Sequence, residues 1–95
     1  MADHKNDAVM NYLFAQFTDM IVQRSGRDEE RKGTEYRIVK GIKHLHTIVA
    51  EDALIEGRTP DQIKSMLYYY DLAAAVREAR DRTVLVKPTG CEVDD

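Results

Sequence analysis

The run Thr34-Glu35-Tyr36-Arg37-Ile38-Val39-Lys40-Gly41-Ile42-Lys43-His44-Leu45-His46-Thr47-Ile48-Val49-Ala50-Glu51-Asp52-Ala53-Leu54-Ile55-Glu56 decides how the chain is read. At about 100° per residue, Ile38, Ile42, Leu45, Val49 and Ala53 form one apolar stripe, flanked by Val39 and Ala50. The spacing predicts a helix over 34–56, closed by Gly57 in the position after the last turn. Ile48 and Ile55 fall off the stripe, nearly opposite Val39, and suggest a second contact surface. Gly33 would cost roughly 1 kcal/mol inside a helix, so the firm start is set at Thr34, after a looser turn from Arg27.

The flanking segments extend the same reading. Val9, Met10, Leu13, Phe14, Phe17, Met20 and Ile21 fall in one apolar arc, which predicts a first helix over 6–24 with Asp3 or Asn6 as its cap. Thr59-Pro60-Asp61-Gln62 is a strong helix start: Thr at the cap, Pro at the first position, an acid in the first turn and Gln at the third. It predicts a third helix over 60–81, ending among Arg77, Arg80 and Arg82, whose charges suit a helix C-terminus. Residues 82–95 read as an extended tail, with the β-prone run Thr83-Val84-Leu85-Val86 docking or adding to a partner. The expected architecture is therefore all-α: one domain over 1–95, an antiparallel helical hairpin with a third helix across it.

Residues 66–76 carry a single charge, Asp71, and are apolar on both sides of the wheel. A helix apolar all round is normally covered on all sides, and 95 residues offer little with which to cover it. A homodimer centred on the third helix is the expected remedy, with Met66, Tyr68, Tyr69, Leu72 and Val76 at the interface.

Composition narrows the function classes. Hydrophobic residues make up 43% and charged residues 33% of the chain, values that support a soluble core-forming domain. A net charge of −3 argues against unspecific binding to nucleic acid. The single cysteine, Cys91, allows no internal disulfide and fits a cytoplasmic address. The polar N-terminus lacks a signal-peptide pattern, and no apolar run approaches the roughly 20 residues of a membrane span.

Candidate chemistry is sparse. His46 lies on the stripe of 34–56 and is read as structural rather than as a base or ligand. His44, two residues away, would point to another face, and no His pair has the spacing of three or four that helix-borne metal sites need. Asp71, alone among apolar neighbours, is read as a register-fixing pair rather than an acid. There is no phosphate loop, nucleophile elbow or Cys-x-x-Cys. No catalytic residue, cofactor or metal is expected.

Between residues 27 and 46 there are six Lys or Arg against four Asp or Glu. Within that span Arg37, Lys40 and His44, with Lys43 at the rim, form the candidate partner- or anion-binding face. The expected function is a small non-enzymatic protein-binding module: an inhibitor, adaptor or assembly factor of the kind mobile elements such as phages encode. The alternatives are binding or turnover of a small anion such as a nucleotide and, third, nucleic-acid binding.

Overall fold

The computed structural model describes residues 3–94, with side chains described from residue 7 onward. The order is α1 (Asp3–Gln16), β1 (Ile21–Asp28), β2 (Gly33–Lys40), β3 (Lys43–Glu51), α2 (Asp52–Ile55), α3 (Pro60–Tyr70), α4 (Leu72–Ala79), β4 (Thr83–Lys87) and β5 (Gly90–Asp94). The strands form one sheet in sequence order, β1-β2-β3-β4-β5. All neighbours are antiparallel except β3 and β4, which are parallel. Parallel neighbours need a crossover, supplied by α2, α3 and α4. The fold is mixed α/β, which overturns the all-α helical bundle expected from periodicity.

The largest correction falls on 34–56. It is not a helix but the β2–β3 hairpin followed by the single turn α2. Lys40 pairs with Lys43, so Gly41 and Ile42 make a two-residue loop. Gly41 has φ +63° and Ile42 is not in the positive-φ region, the pattern of a type II′ turn with glycine first. The helical stripe was a coincidence of spacing. Tyr36 and Ile38 alternate inward on β2, and Val39 sits half-buried on the other face. On β3 the alternation vanishes, because Thr47, Ile48, Val49 and Ala50 are all buried. β3 is the middle strand, and residues on both its faces are buried, so the segment reads as a continuous apolar run. Its β-branched content, Thr47, Ile48 and Val49, is what favours the pleated backbone.

The helix expected over 6–24 stops at Gln16, and residues 21–24 belong to β1. Pairing of Ile21 with Val39 and Val22 with Ile38 takes this segment into the sheet. The helix expected over 60–81 is two helices. It starts as read: the Thr59 hydroxyl accepts from the Gln62 N–H while the Gln62 side chain accepts from the Thr59 N–H. It breaks at Asp71, which adopts the left-handed conformation (φ 53°, ψ 55°) between α3 and α4. Asp tolerates this region better than most residues. Asp71 is exposed, not embedded among apolar side chains. The expected tail over 82–95 is the β4–β5 hairpin, turning at Pro88 and Thr89.

One core joins all four helices to one face of the sheet. Val22, Tyr36, Ile38, Ile48, Ala50, Val84 and Val86 point into it from the strands. Ala8, Val9, Tyr12 and Leu13 enter from α1, Leu54 from α2, Ile63 and Leu67 from α3, and Leu72, Ala73, Val76 and Ala79 from α4. Leu72 and Val76, expected at a dimer interface, are fully buried within the single chain. The break at Asp71 lets α3 and α4 each bury its own stripe, so no second copy is needed to cover them.

The opposite face of the sheet carries Ile21, Gln23, Glu35, Arg37, Val39, Thr47, Val49 and Leu85, and none of these belongs to the helical core. Antiparallel sheets commonly leave one face solvated. Val49 is nonetheless buried on that face, and the Gly33 backbone lies close against it. A Cβ at Gly33 would lie 2.5 Å from the Ala50 carbonyl oxygen and 2.8 Å from a Val49 methyl.

Candidate functional site

The type II′ turn organises one end of the molecule. It places Ile42 at the hairpin tip with its side chain fully exposed (106%). Lys40 and Lys43, paired across the turn, flank it. Lys40 is 3.7 Å from Asp19, a loose and exposed pair of the kind that contributes little to stability. Behind the tip, Ile21 (54% exposed) pairs with Val39, and Val39 pairs with His44. The result is an exposed Ile42 at the tip and the pair Ile21 and Val39 behind it, with Lys40 and Lys43 on either side of the tip.

The sequence-derived face of Arg37, Lys40, Lys43 and His44 is partly assembled, by a hairpin instead of a helix. Lys40, Lys43 and His44 meet at the turn. Arg37 lies further along β2, opposite Thr47, and its Nε donates to the Glu35 carboxylate at 3.1 Å. Of the expected dimer contacts, Met66 is half-buried and packs on the core, while Tyr68 (48%) and Tyr69 (86%) stay exposed. Tyr68 meets the Tyr12 ring edge to face at 4.9 Å. Tyr70 instead donates its hydroxyl to the Pro88 carbonyl at 2.5 Å, which ties α3 to the β4–β5 turn.

A cleft opens beside this end. β4 begins at Thr83, opposite Thr47, so residues 43–46 of β3 run past it. The gap, about 560 Å³, is lined by Lys43, His44, Leu45, His46, Arg80 and Asp81. Leu45 is the extra residue of a β-bulge, since Ile38 pairs with His46 and Val39 with His44. His46 Nδ1–H donates to the Arg80 carbonyl at 2.8 Å and its ring lies 5.8 Å from Phe17. Arg77 stacks on the other partner of that contact, 4.8 Å from the Phe17 centroid. His46 thus joins β3 to the end of α4. His44 Nε2–H faces two acceptors, the His46 carbonyl at 3.1 Å and Thr47 Oγ1 at 2.6 Å.

The sequence reading missed Ile21, Ile42 and Arg80. The signal for Ile42 was available: Gly41-Ile42 between two β-branched runs fits the Gly-X form of a two-residue hairpin loop. Arg80 had no such signal, because its place depends on the crossover.

Among the described residues no group of three or more His, Cys, Asp or Glu side chains is placed to hold a metal ion, and no helix is long and apolar enough to cross a membrane. Cys91 lies on β5, partly packed on the core, and burial pushes its thiol up to about 11; a thiol so shifted is a poor nucleophile. Comparison with protein-family models, with curated proteins and with solved structures returns no match.

Proposed function

We propose that the protein is a non-enzymatic binding module that docks the β2–β3 hairpin end of its sheet onto an acidic surface of a partner protein. The observation that carries this reading is the exposed Ile42 at the hairpin tip, framed by Lys40 and Lys43 and backed by Ile21 and Val39. Protein interfaces have this anatomy, with an apolar centre that is desolvated and a polar rim. The rim is cationic although the chain carries −3 overall, so the field at this end steers an acidic surface toward it. Glu35 neutralises Arg37, which places the weight of the rim on Lys40 and Lys43.

The test uses the full chain, tagged, as bait in an extract of its source cells, beside a variant carrying Ile42→Asp, Lys40→Glu and Lys43→Glu. All three positions are exposed, so circular dichroism should show an unchanged fold. The parent should retain a partner that the variant loses, and the association rate with that purified partner should fall as salt rises. Equal capture by parent and variant would overturn the reading.

A further inference from the structure

The cleft beside the hairpin contains an arrangement that folding alone does not explain. Arg80 has φ 60° and ψ −115°. The Arg82 N–H donates to the Ala79 carbonyl at 3.1 Å, so Arg80 is the first central residue of a β-turn. Those angles are the type II′ values, where glycine is the ordinary occupant. An arginine there costs of order 1–3 kcal/mol in backbone strain. The strained conformation is held in place by His46, whose Nδ1–H binds the Arg80 carbonyl.

The side chains point to a ligand chemistry. Lys43 and Arg80 both line this open cleft, one from β3 and the other from the α4–β4 turn. Among the described residues neither of these two cations has an ion-pair partner within 4.0 Å. A guanidinium fork and an ammonium together suit a tetrahedral oxyanion. Of the other lining residues, Leu45 is apolar and His44 turns its Nε2–H to the His46 carbonyl and Thr47, while Asp81 and His46 offer acceptors. Asp81 contributes a carboxylate, and His46, whose Nδ1–H is committed to the Arg80 carbonyl, has Nε2 as its one remaining ring nitrogen. A ligand that fits both sets must accept hydrogen bonds and also donate one. Sulfate cannot donate at neutral pH; hydrogen phosphate can.

We infer that the cleft between residues 43–46 of β3 and the Arg80–Asp81 turn is a binding site for inorganic phosphate in its protonated forms. Arg80 and Lys43 hold its oxygens, and Asp81 or His46 Nε2 accepts its P–OH. The strain at Arg80 is retained for its side chain, since glycine would close the same turn without it. The site shares Lys43 with the docking rim, but Ile42 and Lys40 line no part of it and Arg80 lies outside that rim, so Arg80→Gly tests the phosphate site without touching the docking surface.

The experiment is a titration of the full chain with inorganic phosphate at pH 7, followed by amide chemical shifts, with sulfate as the parallel arm. Saturable shifts at residues 43–46 and 80–82 are expected with phosphate, and at least tenfold weaker binding with sulfate. Arg80→Gly should raise the melting temperature while weakening phosphate binding at least tenfold. Lys43→Ala, at an exposed position, should weaken it without changing the melting temperature. The absence of saturable shifts with phosphate, equal binding of sulfate, or parental affinity in both variants would each overturn the assignment.

Discussion

Tyr12 belongs to α1, yet its hydroxyl completes α4. That helix begins at Asp71, whose side chain makes no capping hydrogen bond. The Ala73 N–H, one of the free donors of the first turn, donates instead to the Tyr12 hydroxyl at 3.0 Å. Both residues are buried, and burial is the main reason the Tyr12 phenol is raised above its ordinary value of 10.0. Tyr12→Phe keeps the ring and its contact with Tyr68 but leaves a buried N–H without an acceptor. An unsatisfied buried donor costs about 1–3 kcal/mol, so the midpoint of urea unfolding should fall by that equivalent. An unchanged midpoint would show that the Ala73 N–H finds another acceptor. The residue scale also explains a failure of reading. Asp71 looks in sequence like a charge stranded inside a helix, because nothing local reveals that the backbone turns left-handed there.

At the scale of elements, legibility followed how far each signal was local. The Thr59-Pro60-Asp61-Gln62 start was readable because a capping box is made entirely within four residues. The β2–β3 hairpin was hidden because four successive residues of β3, Thr47 to Ala50, are buried, so its burial has no period to detect. β1 and β5 depend wholly on their neighbours: β1 buries only Val22, and β5 buries none of its residues fully. Lys40, Lys43 and His44 were found as a group, since turn partners are close in sequence under either fold. Arg80 was not, because β3 and the α4–β4 turn meet only through the crossover. The edge elements are tied by ion pairs with a pH consequence. The Arg27 guanidinium donates to both Asp52 oxygens, joining β1 to α2. This bonding holds the Asp52 carboxyl below its ordinary value of 3.8. Asp28 is held low in the same sense, first by the Arg31 backbone N–H and then by its side chain. A carboxylate depressed on folding adds stability above its unfolded pKa, and that stability is lost as pH falls through the folded value. Stability should therefore drop from about pH 4 downward, and Asp52→Asn should flatten that drop. Urea midpoints at pH 7 and pH 3 measure it; an equal drop in parent and variant would mean that the pair is too solvent-screened to matter.

At the scale of the molecule, the helices all lie on one side of the sheet, and among the described residues no helix covers the other. The helical side is closed by the chain's own residues, and this changes what a charge in α4 should do. Leu72 is fully buried between α4 and the rest of the core, with Leu67, Ala73 and Val76 in the same cluster. If residues 66–76 formed one helix at a dimer interface, Leu72→Glu would leave the protomer folded and separate the copies. In the fold described here the carboxylate would be forced into an apolar core with no cation to meet it. Breaking a core in this way costs several kcal/mol, a large part of the 5–15 kcal/mol that holds a typical domain together. Leu72→Glu should thus abolish cooperative thermal unfolding and collapse the far-ultraviolet dichroism toward that of a disordered chain. Tyr69→Glu, two residues before the Asp71 break and 86% exposed, should melt like the parent. Sedimentation velocity on both variants separates the two pictures. A Leu72→Glu protein that stays folded but sediments as a smaller species would place Leu72 between copies and refute the single-chain core. A Tyr69→Glu protein that stays folded but changes its sedimentation would locate a contact between copies on the exposed side of α3.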